Sequence, residues 1–531
     1  MRAYTILASK INNVVSGKPL DEWEWWASDR NIRLSNANIS GNLSIQFSRS
    51  EIPSKIFLHF EDCTFHGQLK IDNFKYIEQI TFNRCQFLSA VTLSNISGRL
   101  SLGGQNEFQD TATFIFMDAT DRLSVYAIND AIFEKELILS GNVKSLTITN
   151  SKHRRTEDDS SSSLLDIRVN NLQAGNVTIN QSEFENLAFS GMSTIVNFGI
   201  NACVFKGTRI ENLRLSDMFT IHDTTVEDFS IYSKDRIEGS FYFVNLTVAN
   251  SFRFRLDGAT RTIISKSNFK FLSLWGKNSS ESALNIESSM IANFAFEKVT
   301  NSGQISLREI DSDGGKFKIE SSNLGKTDFI FCDFSKTVLE FENSKLTEAF
   351  LSESDFPKKV IRGDKISYKQ AQLIFGQLTT AYQKQGDTVR ALEYQSREIQ
   401  SHFRDLVLSK KVTQTRFNLF LNWISNDFGR SWLRGGLFTI GIALIFYYAV
   451  VISTNEYGIG LGFSYDERLV SSFFNFLNPL RFFDAESLFR DANEQFLTLN
   501  AGSHALDLFG RIMIAYGIYQ TIQAFRRYGR K

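Results

Sequence analysis

Proline is almost missing, with 4 residues in a chain of 531. A fold that needs nearly every backbone N–H in a ladder is compatible with that scarcity, because proline has no N–H to give. Net charge is also missing: 58 Lys and Arg balance 58 Asp and Glu. No basic excess is available to neutralise phosphates, so an electrostatic nucleic-acid binder is not the first reading and no nucleic-acid partner is expected. Chemistry-bearing motifs are sparse. The six histidines (His59, His66, His153, His222, His402, His504) form no H-E-x-x-H, and the four cysteines form no C-x-x-C. No G-x-S-x-G or Walker sequence occurs. Pairs such as Asp311 and Asp313 before Gly314-Gly315 read as turns. The expectation is therefore no enzymatic activity, no cofactor and no metal. The segment Met1–Lys10 has no uninterrupted apolar run, so a cleaved signal peptide is not expected. With 42% hydrophobic and 22% charged residues, the chain is not mostly disordered.

What the chain has in excess is phenylalanine, 49 residues of it. All four cysteines share one context: Cys63-Thr-Phe65, Cys85-Gln-Phe87, Cys203-Val-Phe205 and Cys332-Asp-Phe334. The same small-x-large pattern recurs with other small residues, as in Ala37-Asn-Ile39, Ala131-Ile-Phe133, Ser182-Glu-Phe184, Thr224-Thr-Val226 and Ser267-Asn-Phe269. It continues in Ser288-Ser-Met290, Ser322-Asn-Leu324, Ser344-Lys-Leu346 and Ser354-Asp-Phe356. The large residues are spaced 21 or 22 apart: Phe65 to Phe87, Phe87 to Phe108, Phe184 to Phe205, Phe269 to Met290, Phe334 to Phe356. Between them run alternating apolar segments such as Leu137-Ile-Leu139 and Val177-Thr-Ile179.

This period predicts short strands stacked coil on coil, mainly β, over residues 31–360. The large residue of each coil stacks on the next at about 4.8 Å. The small residue two places earlier points inward at a corner with little room. Fourteen or fifteen coils would make a rod roughly 70 Å long. In this reading Cys63, Phe65, Cys85, Phe87, Cys203, Phe205, Cys332 and Phe334 are core residues, the thiols being small and reduced rather than reactive. The corner pattern resembles the pentapeptide-repeat family, whose unit carries a small residue two positions before a central Leu or Phe. The resemblance implies a right-handed parallel β-helix. Some members of that family mimic DNA with a strongly acidic surface, which this neutral chain lacks.

Solenoid ends need covering. Residues 1–30, with Ile6, Leu7, Ile11, Val14 and Val15 at helical spacing followed by Leu20, Trp23, Trp25 and Trp26, read as an N-terminal cap. The polar run Ser151–Ser163 reads as a loop thrown out of one coil. After Pro357 the composition changes, and residues 361–412 read as a helical connector. Tyr368–Gln383 and Thr388–Leu406 are expected as two helices joined at Gly386-Asp387. The segment Ala381–Ala391 resembles the turn of a tetratricopeptide helix pair, although one pair makes no peptide-binding superhelix. Residues 413–434 are aromatic-rich and are expected as one interfacial helix.

Residues 435–531 read as a membrane domain. Leu437–Ile452 is apolar and uncharged, giving a span over 435–453. A second expected span, 506–525, contains Asp507, Arg511, Gln520 and Gln523. Trp423, Arg430, Trp432, Arg434, Arg526 and Arg527 are the expected membrane anchors. Their charges lie outside the hairpin, so both termini are expected on the cytoplasmic side of a bacterial inner membrane. The apolar stretch Leu469–Phe483 is too short to span and reads as re-entrant or as a helix lying on the outer face. Solenoid, connector, interfacial aromatics and two spans together resemble bacterial pentapeptide-repeat membrane proteins, some of which carry a two-span ion-channel-like module. Phe428-Gly-Arg-Ser-Trp432 and Tyr516-Gly-Ile-Tyr-Gln520 carry part of that likeness. Glu456–Gly460 and Gly460–Phe463 are in the wrong place for a potassium filter, because they follow the first span directly. Asp507, Arg511, Tyr516, Gln520 and Gln523 are the candidate pore or helix-interface residues, since polar groups inside a membrane face protein or water. The expected role is a membrane-anchored binding scaffold, homo-oligomeric through its hairpin, with the lipid bilayer and a cytoplasmic protein or ligand as partners. The alternative is a pore gated through the solenoid.

Overall fold

The computed structural model describes residues 24–27, 31–46, 56–72, 77–96, 98–117, 125–153, 167–190, 192–211, 213–232, 239–363, 365–409, 414–453, 467–480 and 501–529. Most of the expected N-terminal cap and of the polar run after Ser151 lies outside these residues, as do the two glycine-containing segments after the first expected span. The chain forms two compact units, Met1–Gly363 and Asp364–Lys531.

The first unit is a parallel β-solenoid of about 13 turns. One ladder climbs from strand Asn31–Ser35 through Ile56–Glu61 and Ile77–Asn83, and continues to Phe350–Ser352. A second ladder runs from Leu43–Gln46 to Lys359–Arg362. Alternation decides which side chains enter: Leu58 and Phe60 point in while Phe57 and His59 do not, and Ile80 and Phe82 repeat this one coil on. At the first edge the strand Glu24–Ala27 pairs antiparallel with Asn31–Ser35, so the terminal ladder has a partner instead of an open edge.

Between the two ladders lies the corner that the small-x-large pattern marks. Thr64 pairs with Gln86 and Phe65 with Phe87, then Phe87 with Phe108 and Phe108 with Phe133. The rings stack at 5.0, 4.6 and 4.9 Å. In-register parallel strands impose that spacing, which explains why phenylalanine repeats here. All eight core residues expected from the cysteine contexts are buried.

Two features of the corner were not legible in the pattern. The residue before each small one sits in left-handed backbone: Asp62, Arg84, Asp130, Ala202 and Asp223 have φ between 51° and 54°. Such backbone is uncommon for residues other than glycine, and it turns the chain so that the next side chain points inward. The small residue is also a hydrogen-bond partner. Ser182, Ser289, Ser322 and Ser354 each accept the N–H of the corner residue one coil earlier, from Ser151, Ser267, Val299 and Cys332. At the same position Asn106 accepts from Cys85 N. Serine and threonine recur there because a buried N–H would otherwise have no acceptor.

One register differs from the expectation. Phe269 pairs with Ile291, and Asn268 with Met290. The inward pair is therefore Ser289 and Ile291, while Met290 points out and is 46% exposed. Ser288 holds the left-handed backbone at this corner, which shifts the motif by one residue. The cysteine thiols are free and buried. Burial pushes Cys332 up to about 11 and also raises Cys203, so both stay protonated and inert at neutral pH.

In the second unit, α1 (Tyr368–Gln385) and α2 (Thr388–Leu408) form the expected antiparallel pair. Gly386 ends α1 in left-handed backbone, and Asp387 caps α2 by accepting from Arg390 N. Tyr382 and Tyr394 stack across the pair at 5.4 Å. The expected interfacial helix over 413–434 is not one helix. α3 (Gln414–Asn426) stops at Asp427, Phe428 and Gly429, all with positive φ, and Trp432 already belongs to α4 (Trp432–Ser453). α5 (Glu467–Phe476) and α6 (Ala501–Gly529) complete the unit.

Candidate functional site

Small residues let α4 and α6 approach closely in antiparallel register. A Cβ on Gly435 would lie 2.7 Å from Thr521 Oγ1. One on Gly517 would lie 2.5 Å from Thr439 Oγ1, and one on Gly510 would lie 3.0 Å from Phe446 Cβ. At the far end the Ser453 and Ser503 hydroxyls meet at 2.6 Å. Ser503, Gly510 and Gly517 are seven apart, so one seam of α6 faces α4 along its length. Thr439 and Thr521 turn their hydroxyls back onto Gly435 and Gly517 carbonyls, which satisfies them inside the seam.

The candidate polar residues separate into three places. Arg511 Nε lies 2.9 Å from Asp507 Oδ2, and both side chains are buried, at 7% and 4% exposure. Gln520, also buried, accepts from Asn426 Nδ2 at 2.7 Å, and Tyr516 lies half-buried one turn earlier on the same helix. Gln523 lies apart from both groups, lining a groove with Arg526. Within one chain, Asp507, Arg511 and Gln520 are thus packed among helices rather than presented on an outer face.

Sequence reasoning missed Asn426. Its side chain ties the α3–α4 turn by accepting from Gly429 N at 2.8 Å while donating to Gln520. The signal was an Asn directly before the turn Asp427-Phe428-Gly429. The anchor residues Trp423 and Arg434 meet, with the guanidinium 5.6 Å from the ring centre. Trp432 is exposed and contacts Phe525 edge-on at 6.4 Å. Arg430 stands in the α3–α4 turn, Arg526 is exposed on α6, and the side chain of Arg527 lies outside the described residues.

The short helix α5 reaches into the bundle. Phe476 is fully buried against Tyr447, with ring centres 5.5 Å apart, and Phe473 packs on the same tyrosine at 5.6 Å. Tyr447 lies six residues before the end of α4, about 9 Å along the helix from Ser453. Ala443, Val450, Val451 and Ile514 complete this apolar core.

The outward faces of α4 and α6 are apolar. Leu437, Ile440, Leu444, Ile445, Tyr448 and Ile452 are exposed on α4. Leu508, Phe509, Ile512, Tyr519, Ile522 and Phe525 are exposed on α6. Among the described residues, α4 is the helix long and apolar enough to cross a membrane by length and composition. No group of His, Cys, Asp and Glu among the described residues could hold a metal ion. Comparisons with protein-family models, with curated proteins and with solved structures return no match.

Proposed function

We propose that the chain is a membrane-anchored scaffold: a cytoplasmic binding solenoid carried on a two-span hairpin of α4 and α6 in a bacterial inner membrane. The observation that supports it is the inverted polarity of the helix pair, with apolar side chains outside and Asp507, Arg511, Gln520, Thr439 and Ser503 inside. Water would drive the opposite arrangement, whereas hydrocarbon favours this one. At 29 residues, α6 is about 43 Å long, enough to cross and emerge. α5 is then a re-entrant segment, its deepest side chain being Phe476. In this reading the solenoid is a right-handed, pentapeptide-like coil, the hand that parallel crossovers take.

The same polarity favours an anchor over a pore. Polar side chains that are already packed within one hairpin leave apolar faces for neighbours or lipid. The solenoid supplies the binding surface, and the hairpin brings copies together.

Topology and assembly test this together. The native cysteines are buried, so single cysteines at Asp313 and Ala501, both exposed, report sidedness. Ala501→Cys should react with an impermeant maleimide on intact spheroplasts, and Asp313→Cys only after lysis. Equal labelling before lysis rules out the topology. Mass photometry in nanodiscs then separates the two roles: a dimer fits the scaffold, whereas a closed ring of four or more copies with measurable conductance replaces it by the pore.

A further inference from the structure

An open groove of about 620 Å³ lies between the start of α2 and the last turns of α6. Thr388 and Leu392 form one wall. Tyr519, Ile522, Gln523 and Arg526 form the other. Arg526 is exposed, and it has no ion-pair partner among the described residues. Among the described residues no carboxylate lines the groove. Between Asp507 and Arg526 the sequence has no Asp or Glu. Arg526, the charged side chain among the described residues that line the groove, therefore calls for an anion. Thr388 and Gln523, which line the same groove, add neutral donors.

The apolar half of the groove selects among anions. Tyr519 and Ile522 belong to the exposed face of α6 that continues through Ile512 and Phe509. A small soluble anion gains nothing from that surface, whereas an acyl chain can lie along it. Trp432 against Phe525, and Arg434 over Trp423, add the aromatic and cationic side chains that favour a headgroup level.

We propose that this groove binds one phospholipid with an anionic headgroup, its phosphate held by Arg526 with Thr388 and Gln523, and one acyl chain along Tyr519 and Ile522. The proposal rests on the membrane reading of α4 and α6. Its consequence is that lipid charge fixes α2 against α6, a point at which bilayer composition could bias the helical unit.

Native mass spectrometry of the full chain, released from detergent with equal phosphatidylglycerol and phosphatidylcholine, tests it. The wild type should retain one phosphatidylglycerol with roughly ten-fold preference, because phosphatidylcholine sets a choline cation beside the same phosphate and offers Arg526 no net charge. Arg526→Gln should bring the ratio near one, and Arg526→Lys should keep most of it. Thr388→Trp should fill the groove and reduce retention of both lipids. Circular dichroism checks that each variant is folded. Equal retention by the wild type, or an unchanged ratio in Arg526→Gln, overturns the proposal. Displacement of the lipid by glycerol phosphate alone overturns it in favour of a free-anion site. A dimer mass lost on Thr388→Trp overturns it in favour of a second copy in the groove. Recovery of the chain in the aqueous phase after alkaline extraction is a separate result, and it removes the membrane reading itself.

Discussion

Phenylalanine behaves in opposite ways in the two units. In the solenoid Phe65, Phe87, Phe108 and Phe133 are sealed in a ring stack. In the helical unit Phe417, Phe474, Phe509 and Phe525 are all about 60% exposed or more. Polar groups reverse in step. The solenoid turns Arg33, Glu61, Asp62 and Arg84 outward into a surface ion-pair cluster, whereas the α4–α6 pair buries Asp507, Arg511 and Gln520. Composition alone does not separate these cases. In the solenoid the apolar side chains go to a core, whereas in the helical unit many also cover an outer face, the arrangement that the proposed change of solvent from water to hydrocarbon would favour.

The largest way to break the comparison is in the ring stack. Phe87→Ala removes the ring between Phe65 and Phe108 and should cost about 3–5 kcal/mol. Urea unfolding followed by the strand signal measures it, and a loss under 1 kcal/mol would mean the corner collapses freely. In the helical unit an equally apolar change should do little unless it touches the seam. Gly517→Ala, forced against Thr439, should lower the stability of the helix pair by about 2 kcal/mol. Gly441→Ala, which meets nothing within 4 Å, should change it by less than about 1 kcal/mol. Thermal unfolding in detergent gives both values, and equal effects would refute the seam. Smaller in reach is the corner hydroxyl. Ser322→Ala leaves the buried Val299 N–H without its acceptor and should cost about 1–3 kcal/mol in the solenoid.

The smallest effect is electrostatic. His59 lies beside Arg33 on adjacent coils. Burial first, and the Arg33 charge second, hold its pKa below 6.5. Folding thus favours the neutral ring. The contribution is present in full above pH 6.5 and declines as pH falls below it. His59→Gln should flatten the acid limb of solenoid stability without altering the helical unit, and an unchanged limb would exclude His59 as its source.

Much of the solenoid was readable because a parallel coil repeats one environment. Period 21–22 and the small-x-large step are its direct imprint. The error at Met290 shows the limit: Ser288 and Ser289 are both small, and only the backbone turn decides which one points inward. The helices α1 and α2 were readable from spacing and from Gly386-Asp387. The single helix expected over 413–434 was not found, because aromatic content says nothing about three consecutive left-handed residues.

The sequence by itself determined the strand period, most of the corner residues, the small buried cysteines and the position of α4, because each rests on local pattern or on repetition. Only the tertiary structure decided which small residue carries each corner N–H, where α3 stops, that Asn426 meets Gln520, and that Asp507 and Arg511 turn inward. Those depend on what lies across from a residue, in the next coil or on a helix up to 94 positions away, and neighbours at that distance leave no periodic mark on the chain.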